Sequence, residues 1–184
     1  AKGTSEWKTQ VHEFSQTLIQ QIDTMSAIAS AFSQFAAMPT GQSERLNVTE
    51  TVKRALELYK DAPIALDADA AYYAQLDATQ LVRIINNLMS NAIDACAEVS
   101  KPSIEVRIFG DKKWIYVSVE DNGKGVSDSL QERIFEPTFT TKTSGMGLGL
   151  SMVKSIVETF GGTIQFESIP NVKTRFQVRF PRID

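Results

Sequence analysis

Residues 77–121 read DATQLVRIINNLMSNAIDACAEVSKPSIEVRIFGDKKWIYVSVED. The first part of this stretch predicts a helix that begins at Asp77 and reaches about Val99. From Ile104 to Val119 every second residue is apolar on both sides of the polar segment 110–113, which predicts a β-hairpin. The stretch therefore predicts a helix followed by two antiparallel strands.

Helical and strand patterns of apolar residues also alternate on both sides of this stretch. A capping box at residues 47–50 predicts a helix to about Lys60, and residues 63–69 predict a short strand. A further helix is expected at about 148–160, followed by a second hairpin around Pro170-Asn171. Helices that alternate with antiparallel hairpins predict an α/β fold, a two-layer sandwich with a mixed sheet.

The N-terminal part has a different pattern. From Trp7 to about Ala37 apolar residues recur at steps of three and four without Gly or Pro, which predicts one long amphipathic helix. Residues 38–41, MPTG, end that helix and form a linker. We therefore expect a long helix at residues 1–40 that packs on other helices, and a globular domain at residues 46–184.

Composition excludes several classes of function. The 184 residues include 19 Lys and Arg against 22 Asp and Glu, so the net charge of −3 provides no basic surface for nucleic acid. A single cysteine, Cys96, and a single histidine, His12, exclude an internal disulfide and a zinc cluster. No apolar run is long enough to span a membrane. We expect a cytoplasmic chain, with which a longer parent protein anchored in the inner membrane is compatible.

Two polar segments are candidates for ligand binding. Asn87 and Asn91 lie four residues apart on one helix face, where amide oxygens could hold a Mg²⁺ shared with phosphates; the alternative is a solvated polar face. Asp121-Asn122-Gly123-Lys124-Gly125 follows a strand directly. Its carboxylate could accept the exocyclic amine of adenine while the glycines allow close approach of the backbone; the alternative is a plain Asn-Gly turn.

Two more candidates follow along the chain. The segment 145–150, GMGLGL, precedes a helix whose amides could receive phosphates. It is not a P-loop, since the Gly-Lys-Ser/Thr ending is missing, and no strand comes directly before it as a dinucleotide fold requires. In segment 134–142, Phe135 and Phe139 could hold a mobile loop while Lys142 neutralises phosphate; the alternative is a surface loop with an apolar anchor.

In this order the four segments resemble the ATP-binding catalytic domain of sensor histidine kinases. That superfamily also includes type II topoisomerase, a heat-shock chaperone and a mismatch-repair ATPase. Residues 87–95 resemble its N box, 121–125 its G1 box, 135–139 its F box and 145–149 its G2 box. The resemblance covers about Leu46 to Asp184.

The resemblance implies ATP and Mg²⁺ as ligands and assigns roles to individual residues. Asn91 would bind Mg²⁺ with support from Asn87, Asp121 would recognise adenine, and residues 136–146 would form the ATP lid. Thr174 would lie beside adenine, although Asn171-Val172-Lys173 replaces the usual glycines. The implied catalytic residues are Asn87, Asn91 and Lys142, and the implied nucleotide-binding residues are Asn91, Asp94, Asp121, Gly123, Gly125, Phe135, Phe139, Thr141, Lys142, Gly145, Gly147, Leu148, Gly149 and Thr174.

The long helix also resembles part of this class of kinase. Residues 18–39 are similar to the second helix of the dimerisation and histidine-phosphotransfer hairpin of nitrogen-regulation-type sensor kinases. This implies a homodimer through the long helix, the phosphotransfer helix of the parent kinase as substrate, and a response regulator receiver domain as partner. His12-Glu13-Phe14 is not followed by the basic-Asn-Pro of the phosphoacceptor motif, so we expect this chain to lack the acceptor histidine.

These inferences predict transfer of the γ-phosphoryl group of ATP to a histidine. Two alternatives remain. The first is an ATP-hydrolysing clamp of the same superfamily, which would need a glutamate one helical turn before the metal-binding asparagine, where this chain has Asn87. The second is a non-catalytic ATP-binding dimerisation module.

Overall fold

A computed structural model describes residues 7, 11, 14–19, 21–22, 42–140 and 147–183. The chain forms two compact units, Ala1–Pro39 and Thr40–Asp184. The described residues of the first unit are helical and exposed, and they include the large apolar side chains of Trp7, Phe14 and Ile22. The remainder of the predicted long helix, His12 and the linker at 38–41 lie outside the described residues.

The second unit contains seven strands and four α-helices within its described residues. The strands are β1 (Glu44–Asn47), β2 (Ile64–Ala68), β3 (Tyr73–Leu76), β4 (Ile104–Gly110), β5 (Trp114–Asp121), β6 (Thr163–Ile169) and β7 (Lys173–Ile183). The helices are α1 (Val48–Leu56), extended by a 3₁₀ turn at Glu57–Tyr59, then α2 (Ala78–Ala95), α3 (Asp128–Gln131) and α4 (Gly149–Thr159). No helix in these described ranges is both long and apolar enough to cross a membrane.

The strands form one mixed sheet in the order β1-β3-β7-β5-β4-β2. Only the β2–β4 pair is parallel among these described strands, and β6 pairs with β7 on the edge that β7 shares with β3. Alternate residues of β4, β5 and β7 are buried on the face that packs against the helices. The predicted two-layer α/β sandwich with a mixed sheet is confirmed.

Two of the predicted helix starts carry a side-chain cap. The Asn47 side chain accepts a hydrogen bond from the Glu50 N–H (3.0 Å), and the Asp77 side chain accepts one from the Gln80 N–H (2.9 Å). Each cap satisfies an amide that has no partner in the first turn of a helix. These local signals explain why the helix starts could be predicted.

Other elements differ from the expectation. Helix α2 ends at Ala95 rather than near Val99. The Ala95 carbonyl accepts the N–H of Lys124 (3.1 Å), from the loop after β5, instead of an N–H from a further helical turn. Strands β1 and β3 and helix α3 were not predicted. They are four residues long each, and β1 pairs along its length with β3, so pairing across the sheet rather than local periodicity defines these strands.

Candidate functional site

Three polar side chains lie next to one another across the sheet. Asp121 at the end of β5 is paired with Thr174 of β7, and Thr174 is paired with Ser168 of β6. Asp121 and Thr174 are only 4% and 3% exposed, and the Ser168 and Thr174 hydroxyl oxygens are 3.1 Å apart. The three residues form a polar row on the sheet face that otherwise packs against the helices.

The carboxylate of Asp121 is unfavourably buried. Its Oδ1 accepts a hydrogen bond from the Gly123 N–H (2.9 Å), which favours the ionised form. Burial outweighs this contact and, with a smaller contribution from the charge of Glu120, raises the Asp121 pKa from its ordinary 3.8 to about 6. The hydrogen bond from Gly123 thus compensates the negative charge of the Asp121 carboxylate only in part. A ligand that donates a hydrogen bond to this carboxylate would stabilise its ionised form.

The loop after β5 lies directly on the C-terminal end of α2. A Cβ atom at Gly123 would lie 2.6 Å from the carbonyl carbon, the oxygen and the Cβ of Ala95, so a residue with a side chain does not fit. The next residue, Lys124, donates its N–H to the same Ala95 carbonyl. Close approach at Gly123 therefore places Asp121 beside the helix that carries Asn87 and Asn91.

Asn122 is a further anchor of this loop. Its Oδ1 accepts the Ser103 N–H (2.8 Å), and its Nδ2 donates to the Lys101 carbonyl (2.9 Å). A plain Asn-Gly turn between paired strands is therefore not what the sequence forms here. Sequence reasoning assigned no role to Asn122, because its partners lie about twenty residues earlier in the chain.

The other end of the loop meets the turn between β6 and β7. Gly125 has φ = +71°, and a Cβ atom there would lie 2.8 Å from the Cα of Pro170. The Lys124 carbonyl accepts the Asn171 N–H (3.0 Å). Asn171 itself has φ = +58°, which asparagine adopts more readily than most residues, so it can take a backbone conformation for which glycine is otherwise used.

On α2, the Asn87 carboxamide has a defined orientation. Its Nδ2 donates to the Arg83 carbonyl (2.8 Å), which turns the Oδ1 toward the start of α4. A Cβ atom at Gly149 would lie 2.6 Å from that oxygen. Asn91 lies one turn further along α2 and is half-buried, and Asp94 is exposed. The glycine at 149 therefore leaves room for the Asn87 oxygen at the helix N-terminus.

The segments on either side of residues 141–146 are in contact. Gly147 has φ = +66°, and a Cβ atom there would overlap the backbone of Thr138 and Phe139. Leu148 is buried, and its carbonyl accepts the Ser151 hydroxyl (3.0 Å). Gly147 thus lets the chain pass directly over the end of the preceding loop.

The two phenylalanines of the 134–142 segment are half-buried against the core. The Arg133 guanidinium lies 4.6 Å from the centre of the Phe139 ring, and the Lys154 ammonium lies 5.9 Å from that of Phe135. Thr141, Lys142 and Gly145, which the sequence assigned to the site, lie outside the described residues.

The structure brings the sequence-predicted residues together in two groups. Asp121 is paired with Thr174 across the sheet and lies two residues before Gly123, which contacts the C-terminal end of α2; Asn87 meets Gly149 at the start of α4. Ser168 was missed, although its position opposite Thr174 in a period-two hairpin was available from the sequence. In the parts of the chain that the structure describes, no three His, Cys, Asp or Glu side chains form a metal-binding group.

Comparison with known proteins identifies the class of this site. The family model for histidine kinase-, DNA gyrase B- and HSP90-like ATPases matches residues 76–184. The chain belongs to this family. The catalytic domain of the histidine kinase ThkA superimposes with a TM-score of 0.68 and 28% identity over 76% of this chain and 95% of that chain.

Two curated relatives extend the similarity toward the N-terminus. The sensor histidine kinase ZraS of Salmonella typhimurium is 28% identical over 179 residues, which cover 94% of this chain and 38% of ZraS. The sensor histidine kinase YcbM of Bacillus subtilis is 32% identical over 179 residues, which cover 90% of this chain and 56% of YcbM. The chain thus spans about two fifths to a little over half of these relatives. The predicted catalytic ATP-binding region of a sensor histidine kinase is confirmed, and its ligand is a nucleotide.

Proposed function

We propose that this chain binds Mg·ATP at the two groups of residues described above and presents the γ-phosphoryl group to a histidine on a phosphotransfer helix of the parent kinase. The observation that carries the proposal is the buried Asp121 carboxylate, whose charge is incompletely compensated within the chain. It lies beside Thr174 and next to the helix with two asparagines.

On the base side, Asp121 would accept the exocyclic amine of adenine. Guanine has a carbonyl oxygen at the equivalent position, which a carboxylate repels, so the same residue would favour adenine over guanine nucleotides. Gly123 and Gly125 would let the backbone approach the ring, and the hydroxyl of Thr174 would contact its edge.

On the phosphate side, the residues fit a magnesium ion that is shared with phosphates. The Asn87 oxygen faces the start of α4, and Asn91 provides a second neutral oxygen one turn away on the same helix. When bound, Mg²⁺ would neutralise charge on the phosphate oxygens. The first amides of α4 and the backbone at Gly147 and Gly149 would hold phosphate oxygens.

The remaining assigned residues surround these contacts. We include Phe135, Phe139 and Leu148 as apolar neighbours of the nucleotide, Asp94 as a polar neighbour, and Thr141, Lys142 and Gly145 in the lid over the phosphates. Lys142 would offset negative charge on the transferred group. Catalysis would then come from positioning and charge neutralisation, which dominate phosphoryl transfer.

For the parent protein, we propose that the N-terminal helix is the second helix of a dimerisation and phosphotransfer hairpin of the nitrogen-regulation type. The exposed apolar side chains of Trp7, Phe14 and Ile22 support a helix that packs against other helices. Two copies of the chain would pair through it. The acceptor histidine would lie on the preceding helix of the parent, and the phosphoryl group would pass on to a response regulator receiver domain.

The rival proposal of ATP hydrolysis lacks a catalytic base at the expected place. Asn87 occupies the position one turn before Asn91, and its amide nitrogen is hydrogen-bonded to the Arg83 carbonyl. An amide cannot take a proton from the attacking water. Phosphoryl transfer is therefore the function that these residues support best.

The test is an isotope-transfer assay with γ-labelled ATP. The chain alone should bind Mg·ATP and acquire no acid-labile label, whereas an added hairpin that carries the acceptor histidine should become labelled. In the Asp121→Asn variant, the initial rate of that labelling should fall at least about tenfold at ATP concentrations well below saturation. A label on the chain itself that disappears in His12→Gln would establish His12 as the acceptor and overturn this part of the proposal.

The same assay separates the alternatives. Steady release of inorganic phosphate without an acceptor would favour the hydrolysing clamp. Tight ATP binding with neither phosphate release nor transfer to the hairpin would favour the non-catalytic module.

A further inference from the structure

Ser168 stands at the centre of a small hydrogen-bond network that none of the assigned roles uses. Its hydroxyl oxygen accepts the Val126 N–H (2.9 Å). The same oxygen lies 3.1 Å from the Thr174 hydroxyl oxygen and 3.3 Å from the Lys173 carbonyl oxygen. Ser168 thus links β7, the strand that carries Thr174, with Val126 at the end of the loop that follows β5.

The direction of the Ser168 hydrogen bond decides whether Thr174 can donate a proton to a ligand. The Ser168 hydroxyl has one proton to donate, and either the Thr174 hydroxyl or the Lys173 carbonyl can accept it. If Thr174 accepts it, the proton of Thr174 is free to point toward a ligand. If Lys173 accepts it, Thr174 can donate its own proton to Ser168, and it then offers a ligand only lone pairs.

The distances favour the first arrangement. Hydrogen bonds between hydroxyl and carbonyl oxygens usually span about 2.5–3.0 Å, so the 3.3 Å separation to the Lys173 carbonyl is long for a good bond. The 3.1 Å separation to Thr174 is closer to this range. Either hydroxyl can donate across the 3.1 Å contact, and its shorter length supports Ser168 as the donor to Thr174. In that arrangement the proton of Thr174 points to the pocket.

We propose that Ser168 is a positioning residue that sets Thr174 as a hydrogen-bond donor beside the acceptor Asp121. This inference rests on the proposed binding of ATP at this site. Adenine carries an amine donor between two ring nitrogens that accept, N1 and N7. Guanine carries a carbonyl acceptor in place of that amine, next to a donor at N1 and an acceptor at N7. An acceptor at Asp121 next to a donor at Thr174 matches adenine, either directly or through one bridging water.

Ser168 also stabilises the loop after β5, which directly follows Asp121. The Gln131 side chain donates to the Val126 carbonyl (3.1 Å) and to the Ser168 carbonyl (3.4 Å), next to the Val126 N–H bond to Ser168. A test must therefore separate a general loosening of the loop from a loss of the donor at Thr174.

The experiment compares ligands on one folded protein. Calorimetry would measure the affinities of the wild-type chain, Ser168→Ala and Ser168→Thr for ATP, 1-deaza-ATP and 7-deaza-ATP, each analogue lacking one ring acceptor. We expect Ser168→Ala to weaken ATP binding by about three- to tenfold, the size of one net hydrogen bond. Ser168→Thr keeps the hydroxyl and should restore affinity to within about twofold of wild type.

The decisive readout is the ratio of affinities for ATP and the analogue. In the wild type, one of the two analogues should bind more weakly than ATP by about three- to tenfold, and in Ser168→Ala that difference should shrink to about twofold or less. Loosening of the loop alone would lower both affinities by the same factor and leave the ratio unchanged. An unchanged ratio for both analogues would overturn the proposal.

Controls keep this result separate from the proposed function. Ser118 is a buried serine of β5 on the opposite face of the sheet, so Ser118→Ala should leave every affinity ratio unchanged. If Ser168→Ala does not fold, Ser168→Cys replaces the hydroxyl by a weak donor of similar size, and the same ratio should shrink. Failure of the wild-type chain to bind ATP at all would refute the proposed function, whereas ATP binding without the ratio change would refute only the role of Ser168.

Discussion

Replacing Asp121 with asparagine should weaken ATP binding and, at the same time, stabilise the folded domain. Asparagine has nearly the same shape, and its Oδ1 can still accept the Gly123 N–H that Asp121 accepts at 2.9 Å. Its amide group, however, presents a donor where the adenine amine also donates. One substitution therefore removes both the recognition of the ligand and an unfavourable buried charge.

The structure sets the size of both effects. Burial raises the Asp121 pKa from 3.8 to about 6, and a tenfold change in an equilibrium constant corresponds to about 1.4 kcal/mol. The ionised carboxylate therefore destabilises the fold by up to about 3 kcal/mol at neutral pH relative to the protonated form. Loss of a charge-assisted hydrogen bond should reduce ATP affinity at least about tenfold.

The direction of the pH effect follows from the raised pKa. Between about pH 4 and pH 6 the folded state holds a proton on Asp121 that the unfolded state has released, so this contribution to stability is lost as pH rises through that window. Above it, the asparagine variant should be the more stable protein. Below about pH 4 the two proteins should differ little.

The assay combines calorimetry with denaturant unfolding followed by circular dichroism at pH 4 and pH 8. We expect the asparagine variant to unfold at higher denaturant concentration than the wild type at pH 8 only. Asp67→Asn, at an exposed aspartate of β2, is the matched control and should change neither stability nor affinity. An asparagine variant that binds ATP as tightly as the wild type would refute the role of Asp121 in adenine recognition. A variant destabilised at pH 8 would refute the incomplete compensation of its charge.

Three further predictions follow from the same site. In the wild type, ATP affinity should fall as pH drops below about 6, because Asp121 becomes protonated. Purine riboside triphosphate lacks the amine, so its affinity should fall only as far as protonation of its phosphates lowers it. Gly149→Ala should displace the Asn87 oxygen, 2.6 Å from the new Cβ, and weaken Mg·ATP binding by about tenfold or more in calorimetry, yet have little further effect in an Asn87→Ala background. Residues 136–146 should exchange amide hydrogens more slowly when Mg·ATP is bound, and equal rates with and without nucleotide would contradict their assignment as a lid.

Local patterns in the sequence were sufficient for most of the elements. The caps at Asn47 and Asp77 act within one helical turn, and each hairpin is formed by strands adjacent in the chain, so neighbouring residues carry the information. The class of site could also be predicted, because four short motifs in a fixed order resemble one family. The roles assigned to individual residues in those motifs remain predictions for the experiments above.

By itself the sequence determined helices α1, α2 and α4, the two hairpins, the mixed α/β fold and the class of nucleotide site, because capping, alternation and motif order are properties of contiguous residues. Only the tertiary structure decided that β7 pairs with β5, placing Thr174 beside Asp121, and that Gly123 lies on the end of α2. It also decided the raised pKa of Asp121 and the link from Ser168 to Val126. These features depend on burial and on contacts between residues about 30 to 50 positions apart, which no local period encodes.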